Sequence, residues 1–243
     1  MIIAEKDKTL QIENEAIPYN LRRGKPNRVR LSFSEDYTLF IETGTGALGN
    51  FEREFLRSKS RWILKAFLSQ KSALDQREEF LAGLEKAIPI LGELTPVRFI
   101  SDRRTYFKYK KGDDFLVYSP AHYINAHKKR LLFFALKEFA TRYLQRRVDH
   151  WSAQTGLAYN RLRVKDLKSK WGSCSALQNI NLNWQLIFLE EALVDYVIIH
   201  EFMHLREMNH SPKFWAHVAE FDPDFKAHRK QLKEKSWLVG ILK

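Results

Sequence analysis

The sequence has a single cysteine, Cys174, among its 243 residues, so an intrachain disulfide is excluded. Stability must then come from a hydrophobic core, for which a chain of this length has ample material. A near-absence of cysteine is typical of proteins that fold in a reducing compartment. We therefore expect a cytoplasmic protein.

Long hydrophobic runs are missing as well. The longest one, residues 131–136, is far shorter than the roughly 20 residues that a membrane-spanning helix needs. Residues 1–12 carry charges throughout and lack the apolar stretch of a signal peptide. These absences predict a protein with no membrane partner.

Acidic residues are scarce relative to basic ones, with 29 Asp and Glu against 41 Lys and Arg, which leaves a formal charge of +12. The excess is concentrated in two clusters, of which the first is Arg22, Arg23, Lys25, Arg28 and Arg30 and the second is Arg161, Arg163 and Lys165. A solvated surface is one interpretation. A surface for nucleic acid or an acidic protein is the other, and the sequence leaves both open.

Hydrophobic residues make up 44% of the chain, which indicates a globular protein of one or two domains. In the first half, apolar and polar residues alternate over residues 28–33 and 37–41, which predicts a β-hairpin. Helical periodicity then predicts helices over 50–68 and 74–88, followed by strands at 97–100, 105–109 and 115–118. No internal repeat is evident.

The second half opens with a pattern that predicts a long helix over residues 122–154, with Gly156 as its C-terminal cap. Strands are predicted at 161–167, 170–175 and 179–184, and helices at 190–208, 212–221 and 224–235. We predict an α+β fold with residues 1–120 as a β-hairpin, helix and strand region and residues 121–243 as the catalytic core. The boundary between them is soft and lies between residues 90 and 120.

The segment His200-Glu201-Phe202-Met203-His204 lies within a predicted helix. Residues four apart on a helix are about one turn apart and lie on one face, so both imidazoles can face a single ion. Glu201 is rotated by about 100° from His200, outside the ligand set but within reach of a metal-bound water. Apolar residues surround this helix, which indicates that it is buried. Buried His and Glu without a function would be costly.

A third imidazole, His210, follows six residues after His204. Ser211 and Pro212 resemble an N-cap and a first helical residue, so the chain must turn sharply before them and can bring His210 back to the ion. Three imidazoles with one open position suit catalytic zinc, whereas magnesium and calcium prefer oxygen ligands. The sequence thus predicts one Zn2+ per chain, with Glu201 as the general base of a hydrolase.

Several stretches around these histidines resemble the YgjP-like metallopeptidase family, whose zinc core is similar to that of the SprT/Spartan-like proteases. The stretches are 170–175, 180–184, 195–201, 204–205, 209–211 and 214–215. The similarity runs from about residue 19 to 233, because 21–30, 62–63 and 90–92 also fit.

The resemblance implies a zincin-like core, a helix with the HExxH pattern beside a small antiparallel sheet. It also implies a peptidase with His200, His204 and His210 as ligands and Glu201 as base. Families with this spacing often have Gly between the second and third histidines, where this chain has Glu207. We expect the turn at Met208-Asn209 instead, with Asn209 in a left-handed conformation.

Zincins commonly hold an extended peptide on an edge strand beside the metal helix. The strand pair at 170–175 and 179–184 is the candidate here, and an ordinary core hairpin is the alternative. The peptide-binding interpretation of this strand pair predicts six substrate-binding residues, namely Trp171, Gly172, Ser173, Cys174, Asn181 and Asn183. For Cys174 three other roles are open, namely a redox-sensitive ligand, a nucleophile or a small buried hydrophobic residue.

The polypeptide substrate itself is not identified by the sequence. A different class of function is a nucleic-acid-binding protein in which zinc only stabilises the fold. A third possibility combines the two, as a protease recruited to DNA or RNA.

Overall fold

The structure is a computed structural model that describes residues 5–6, 9–26, 28–34, 36–84 and 86–242. Part of the segment assessed for a signal peptide, residues 1–4 and 7–8, lies outside the described residues. The chain forms two compact units, Met1–Gln76 and Arg77–Lys243. Their described residues form five α-helices and three small sheets, which confirms the predicted α+β class.

The first unit is built on a five-stranded sheet with strand order β1-β2-β3-β5-β4. Its strands are β1 (Glu5–Lys6), β2 (Thr9–Ile12), β3 (Glu15–Arg23), β4 (Arg30–Phe33) and β5 (Leu39–Thr43). The antiparallel pairing of β4 with β5 confirms the predicted hairpin, and β3 runs parallel to β5. Alternate residues of β2, β3 and β5 form the core with Leu56, Ile63 and Phe67 of the following helix.

That helix, α1, runs without interruption over Asn50–Gly83. The prediction of two separate helices over 50–68 and 74–88 is therefore wrong. Residues 69–73 contain no Gly or Pro, so nothing in the backbone forces a break there. The end of the second predicted helix is also wrong, because residues 87–90 form a strand that includes Pro89.

The second unit starts with a four-stranded sheet of order β6-β7-β9-β8. The strands are β6 (Ala87–Ile90), β7 (Glu93–Ser101), β8 (Tyr106–Lys108) and β9 (Phe115–Ser119), and the helix α2 (Ala121–Thr155) follows. Strands β7, β8 and β9 and the long helix confirm the prediction, and Gly156 caps the helix in the left-handed conformation at φ 68°. Residues 77–120 share a hydrophobic core with α2, so the division between units falls at residue 76 rather than at 90–120.

The two units repeat one topology that the sequence did not reveal. In each, a nine-residue strand (β3 or β7) pairs antiparallel with the strand before it and parallel with a five-residue strand (β5 or β9). A short antiparallel strand and then a helix of 34 or 35 residues complete each copy. Pro18 and Pro96 occupy the same register, and Glu13 and Leu91 both have positive φ in the first turn. Few side chains are shared, so composition and spacing alone did not indicate the repeat.

The chain after α2 forms a three-stranded sheet, a 3-10 helix and three α-helices. The strands are β10 (Arg161–Lys165), β11 (Gly172–Cys174) and β12 (Asn179–Asn183), and the helices are α3 (Glu191–Met203), α4 (Pro212–Phe221) and α5 (Phe225–Glu234). The sheet has the order β10-β12-β11, so β11 lies at an edge. The predicted antiparallel sheet is only partly correct, because β10 pairs with β12 in parallel. The connection over residues 166–178 is long enough to return the chain to the starting end of β10.

Helix α3 is the buried centre of this region, and side chains of α2 hold it in place. Arg147 of α2 donates from Nε and Nη2 to the two carboxylate oxygens of Asp195, at 2.8 and 2.6 Å. Trp151 Nε1 donates to the same carboxylate at 3.0 Å. At the start of α3, Glu191 accepts hydrogen bonds from Lys111 and Tyr143. None of the described helices combines the length and the apolarity needed to cross a bilayer.

Candidate metal centre

The C-terminal end of α3 carries two of the three predicted histidines and the predicted glutamate. His200 and Glu201 lie inside the helix, and His204 is its C-terminal cap residue. The helix is buried on nearly all sides, as its apolar pattern predicted, and only 6% of Glu201 is exposed. It ends at Met203, five residues before the predicted end, which leaves residues 204–211 to form the loop that carries His210.

The structure brings His200, His204 and His210 together. One ring nitrogen from each lies within 4.8 Å of those of the other two. Nε2 of His200 and Nε2 of His210 are 3.1 Å apart. The ring centroids are separated by 4.8 to 5.0 Å, so the three imidazoles converge on one point.

Hydrogen bonding assigns the tautomer of His204. Its Nδ1 lies 3.2 Å from the carbonyl oxygen of Glu207. A carbonyl only accepts, so Nδ1 carries the hydrogen and Nε2 has a free lone pair. Nδ1 of His200 is buried, and among the described residues it has no hydrogen-bond partner.

His200 and His204 are both neutral at physiological pH. Burial, together with repulsion from the charged forms of His204 and His210, lowers the pKa of His200 to about 3. Burial also lowers the pKa of His204. Neutral imidazoles are the form that binds a metal ion.

Aromatic rings form the wall behind the imidazoles. Phe214 is fully buried and stacks on His204 at 4.6 Å, with its edge toward His200 and His210. Trp215 stacks on His210 at 5.6 Å. Through these contacts Phe214 and Trp215 pack α4 against the imidazoles and restrict the approach of His210.

The loop between α3 and α4 turns in a different way from the one we predicted. Among the described residues, positive φ outside glycine occurs at Glu13, Tyr37, Leu91 and Gln178, so Asn209 is not left-handed. Instead, the Asn209 side chain accepts a hydrogen bond from the Ser211 backbone N–H at 2.9 Å, which closes a local turn. Ser211 then caps α4 as predicted, by accepting from the Phe214 N–H at 3.3 Å.

Glu201 points at strand β11. Its carboxylate accepts a hydrogen bond from the backbone N–H of Cys174. A Cβ atom on Gly172 would lie 2.7 Å from Glu201 Oε1 and 2.8 Å from its Cγ, so a larger residue at 172 would require the Glu201 side chain to shift. Burial raises the pKa of Glu201 to about 8, and the charge of Lys170 and the Cys174 N–H act in the opposite direction.

These residues fit a zinc ion. Zn–N distances of about 2.0–2.1 Å in a tetrahedral site put ligand nitrogens roughly 3.3 Å apart, close to the His200–His210 separation. Three converging imidazoles, one with its tautomer fixed by a backbone carbonyl, are typical of a catalytic site with an open position. A cation bound beside Glu201 would favour the charged form of its carboxylate and so act against the effect of burial.

Some of the predicted substrate-binding residues lie at the metal centre. Gly172, Ser173 and Cys174 line a cleft of about 270 Å³ together with His200, Glu201, His204, Met208 and His210. Met208 was not among the predicted site residues, and 53% of it is exposed. Burial, and then the charge of Glu201, raise the pKa of Cys174 to about 11, which favours the small-hydrophobe interpretation of this thiol.

The other predicted substrate-binding residues lie outside the lining of this cleft. Asn183 is fully buried, donates to the carbonyls of Leu167 and Lys170, and accepts from the Gln185 N–H. Asn181 donates to Ser173 Oγ at 3.2 Å. Trp171 is 8% exposed and lines a separate groove.

The basic clusters are surface features of different elements. In the first cluster, Arg22 and Arg23 end β3, while Lys25, Arg28 and Arg30 line a small cavity with Glu42. In the second cluster, the alternation of β10 leaves Arg161, Arg163 and Lys165 exposed.

Comparison with known protein families identifies one that matches most of the sequence. Residues 27–235 match the family model described as YgjP-like, metallopeptidase domain. No protein of curated function matches the chain.

Two similar solved structures are metallopeptidase zymogens. Jannalysin of Methanocaldococcus jannaschii is 20% identical, with a TM-score of 0.35, and the match covers 38% of this chain and 95% of that chain. Abylysin of Pyrococcus abyssi is 26% identical, with a TM-score of 0.35, and the match covers 38% of this chain and 93% of that chain. Because the family model spans most of the sequence, the chain belongs to the YgjP-like metallopeptidase family.

Proposed function

We propose that this chain is a zinc-dependent peptidase with a zincin-like core, in which His200, His204 and His210 hold one ion and Glu201 is the general base. The observation that carries the proposal is the convergence of three ring nitrogens within 4.8 Å beside a buried carboxylate. Membership of a metallopeptidase family supports a divalent metal and a polypeptide substrate.

When bound, zinc supplies a Lewis acid that polarises a carbonyl and lowers the pKa of water. Glu201 accepts a proton from the attacking water and passes it to the leaving nitrogen. The Cys174 N–H fixes the carboxylate for this task, and the close approach of Gly172 limits its movement. The buried wall of Phe214 keeps the imidazoles in place, so little rearrangement is needed during the reaction.

Edge strand β11 is suited to hold the substrate backbone. The Trp171 carbonyl accepts a hydrogen bond from the Asn183 backbone N–H, and the Ser175 N–H donates to the Asn179 carbonyl. These backbone groups of Trp171 and Ser175 therefore face β12. Backbone groups alternate along a strand, so those of Gly172 and Cys174 face away from β12. The Cys174 N–H already bonds Glu201, which leaves the polar groups of Gly172 and the Cys174 carbonyl to pair with an extended peptide.

The test is the Glu201→Gln variant compared with the natural chain, both loaded with zinc. We expect equal metal content by mass spectrometry and a loss of turnover of at least about a hundredfold, because removing a general base costs 10² to 10⁴. Turnover is measured by proteomic detection of new peptide ends, since the physiological substrate is unknown.

A His204→Ala variant provides the complementary control and should lose both zinc and turnover. Unchanged cleavage in Glu201→Gln would contradict the assignment of the base. Zinc binding that survives the loss of His204 would contradict the assignment of the ligands.

A polyanion partner is a second proposal, supported by the row of exposed Arg161, Arg163 and Lys165 on β10. Such a row can bind nucleic acid or an acidic protein by releasing counterions. The proposal predicts polynucleotide binding that weakens with salt and survives Glu201→Gln. Absence of binding to DNA and RNA near physiological salt would remove the nucleic-acid version.

A further inference from the structure

A second groove lies beside the metal centre, and the proposed mechanism does not use it. It has a volume of about 420 Å³, within the range of small-molecule sites. Its lining residues come from the connection between β10 and β11 and from the C-terminal helices, and they are Lys168, Ser169, Trp171, Arg229, Leu232, Lys233, Ser236 and Val239.

The groove combines an apolar floor with a cationic rim. Trp171 is 8% exposed, and Leu232 and Val239 are half-buried. Lys168, Arg229 and Lys233 are exposed, and the lining contains no acidic residue.

The cations of the groove are not neutralised by the protein. Within the part of the chain that the structure describes, none of Lys168, Arg229 and Lys233 forms a salt bridge. Lys235, only two residues beyond Lys233, pairs with Glu190 at 3.6 Å. Three like charges without a counterion attract an anion, and the apolar floor suits the aliphatic stem of one.

Two contacts place the groove next to the reacting centre. Trp171 directly precedes Gly172, which lines the metal cleft. Arg229 lies over the ring of Trp215 at 4.8 Å, and Trp215 in turn stacks on His210. An extended peptide on β11 would therefore pass the groove within roughly three residues of the cleaved bond, at about 3.3 Å per residue.

We propose that this groove is a substrate subsite that binds a peptide carboxylate, supplied by an acidic side chain or by a free C-terminus, on the rim formed by Lys168, Arg229 and Lys233. The proposal rests on the peptidase function proposed above and gives it a substrate class, namely peptides with a carboxylate near the cleaved bond. Lysine and arginine side chains at the same position are excluded by like-charge repulsion.

The first experiment profiles the cleavage sites of the zinc-loaded full chain in a proteome-derived peptide mixture. We expect Asp, Glu or the peptide C-terminus to be enriched at one position within about three residues of the cut. Synthetic peptides with Glu, Gln or Lys at that position, each made as C-terminal acid and amide, then separate the two sources of carboxylate.

The test uses two double variants. One combines Lys168→Glu with Lys233→Glu, and the control combines Lys226→Glu with Lys230→Glu, which changes the net charge by the same amount. Lys226 and Lys230 are exposed on α5 and do not line the groove. The first pair should lower the kcat/KM ratio of the Glu to the Lys peptide by about tenfold, and the control should leave the ratio unchanged. Arg229 is left intact because its charge acts on His200.

A binding measurement separates failure of the subsite from failure of the peptidase function. Labelled Glu-rich and Gln-rich decapeptides are titrated against the Glu201→Gln protein, so no cleavage is required. Tighter binding of the acidic peptide, lost in Lys168→Glu with Lys233→Glu, supports the subsite even if no substrate is cut. Equal binding of both peptides, or an acidic preference that survives the charge reversal, overturns it.

Discussion

At the scale of single residues, the backbone of Gly172 lies directly against the side chain of Glu201. The separation leaves no room for a Cβ atom, and the neighbouring Cys174 N–H bonds the same carboxylate. Strand β11 therefore sets the position of Glu201 through its backbone.

Gly172→Ala should displace Glu201 while leaving the three histidines in place. A misplacement of about 1 Å at a reacting group costs on the order of a hundredfold in rate, so kcat should fall by about that factor. Zinc content should stay at the natural level. Gly83→Ala is the matched control, because a Cβ there meets nothing within 4 Å; equal rates in both variants would show that the close approach has no catalytic importance.

Cys174 should react slowly with alkylating reagents despite lining the cleft. Burial and the charge of Glu201 raise the pKa of its thiol to about 11, and only the thiolate is nucleophilic. At pH 8 about one thiol in a thousand is ionised, so the rate of iodoacetamide modification should be roughly a hundredfold below that of an unperturbed thiol. The rate should rise about tenfold per pH unit up to pH 11. Fast modification at pH 8, measured by intact mass, would contradict the burial of this side chain.

The proximity of His200 and His204 was the most predictable feature of the candidate site, because the two residues share a helix face and their spacing follows from helix geometry. The position of His210 followed only from the helix start at Ser211 and Pro212. Asn183 could not be assigned correctly from sequence. Its amide stabilises backbone groups of residues 167, 170 and 185, and such contacts depend on tertiary structure.

At the scale of elements, helix α3 depends on α2 for its position. Arg147 and Trp151 both donate to Asp195, which lies five residues before His200. The Arg147–Asp195 ion pair is partly buried, with 27% and 20% of the side chains exposed. These two donors, the hydrogen bond from Tyr143 to Glu191 and apolar packing hold α3 against α2.

Asp195→Asn should lower the free energy of unfolding by about 2 kcal/mol, because it leaves the Arg147 guanidinium without its charged partner. Urea denaturation followed by tryptophan fluorescence measures the change. Arg142→Ala removes the exposed pair with Glu138, four residues apart on α2, and should cost no more than about 0.5 kcal/mol. Equal losses in the two variants would show that the buried pair has no special contribution.

The elements themselves were predicted well where periodicity is strong, as in α2 and α4. The separate helices predicted within α1 were wrong, and the antiparallel sheet predicted beside α3 was only partly correct. The continuity of α1 depends on the absence of a breaker in residues 69–73, while the pairing of β10 with β12 depends on the path of the connection between them. Local pattern indicates that a strand exists, and its partner is decided by packing.

At the scale of the whole molecule, the proposed metal site joins α3 to the loop before α4. Bound zinc should therefore stabilise the second unit. At a free concentration about a hundred times the dissociation constant, the melting temperature should rise by about 5–10 °C. Differential scanning calorimetry with zinc and after chelation measures this shift. The shift should vanish in His204→Ala, and an unchanged melting temperature in the natural chain would contradict a site that bridges these elements.

The repeated topology of the two units has a consequence for how the protein is made. Both copies of the strand-and-helix plan precede β10, and all three histidines follow them in the chain. Since a growing polypeptide leaves the ribosome from its N-terminus and folds unit by unit, both scaffolds can form before any metal ligand is exposed. On the proposed assignment, zinc binding therefore comes after the synthesis of both scaffolds, and the nascent chain cannot cleave other proteins before His210 has emerged.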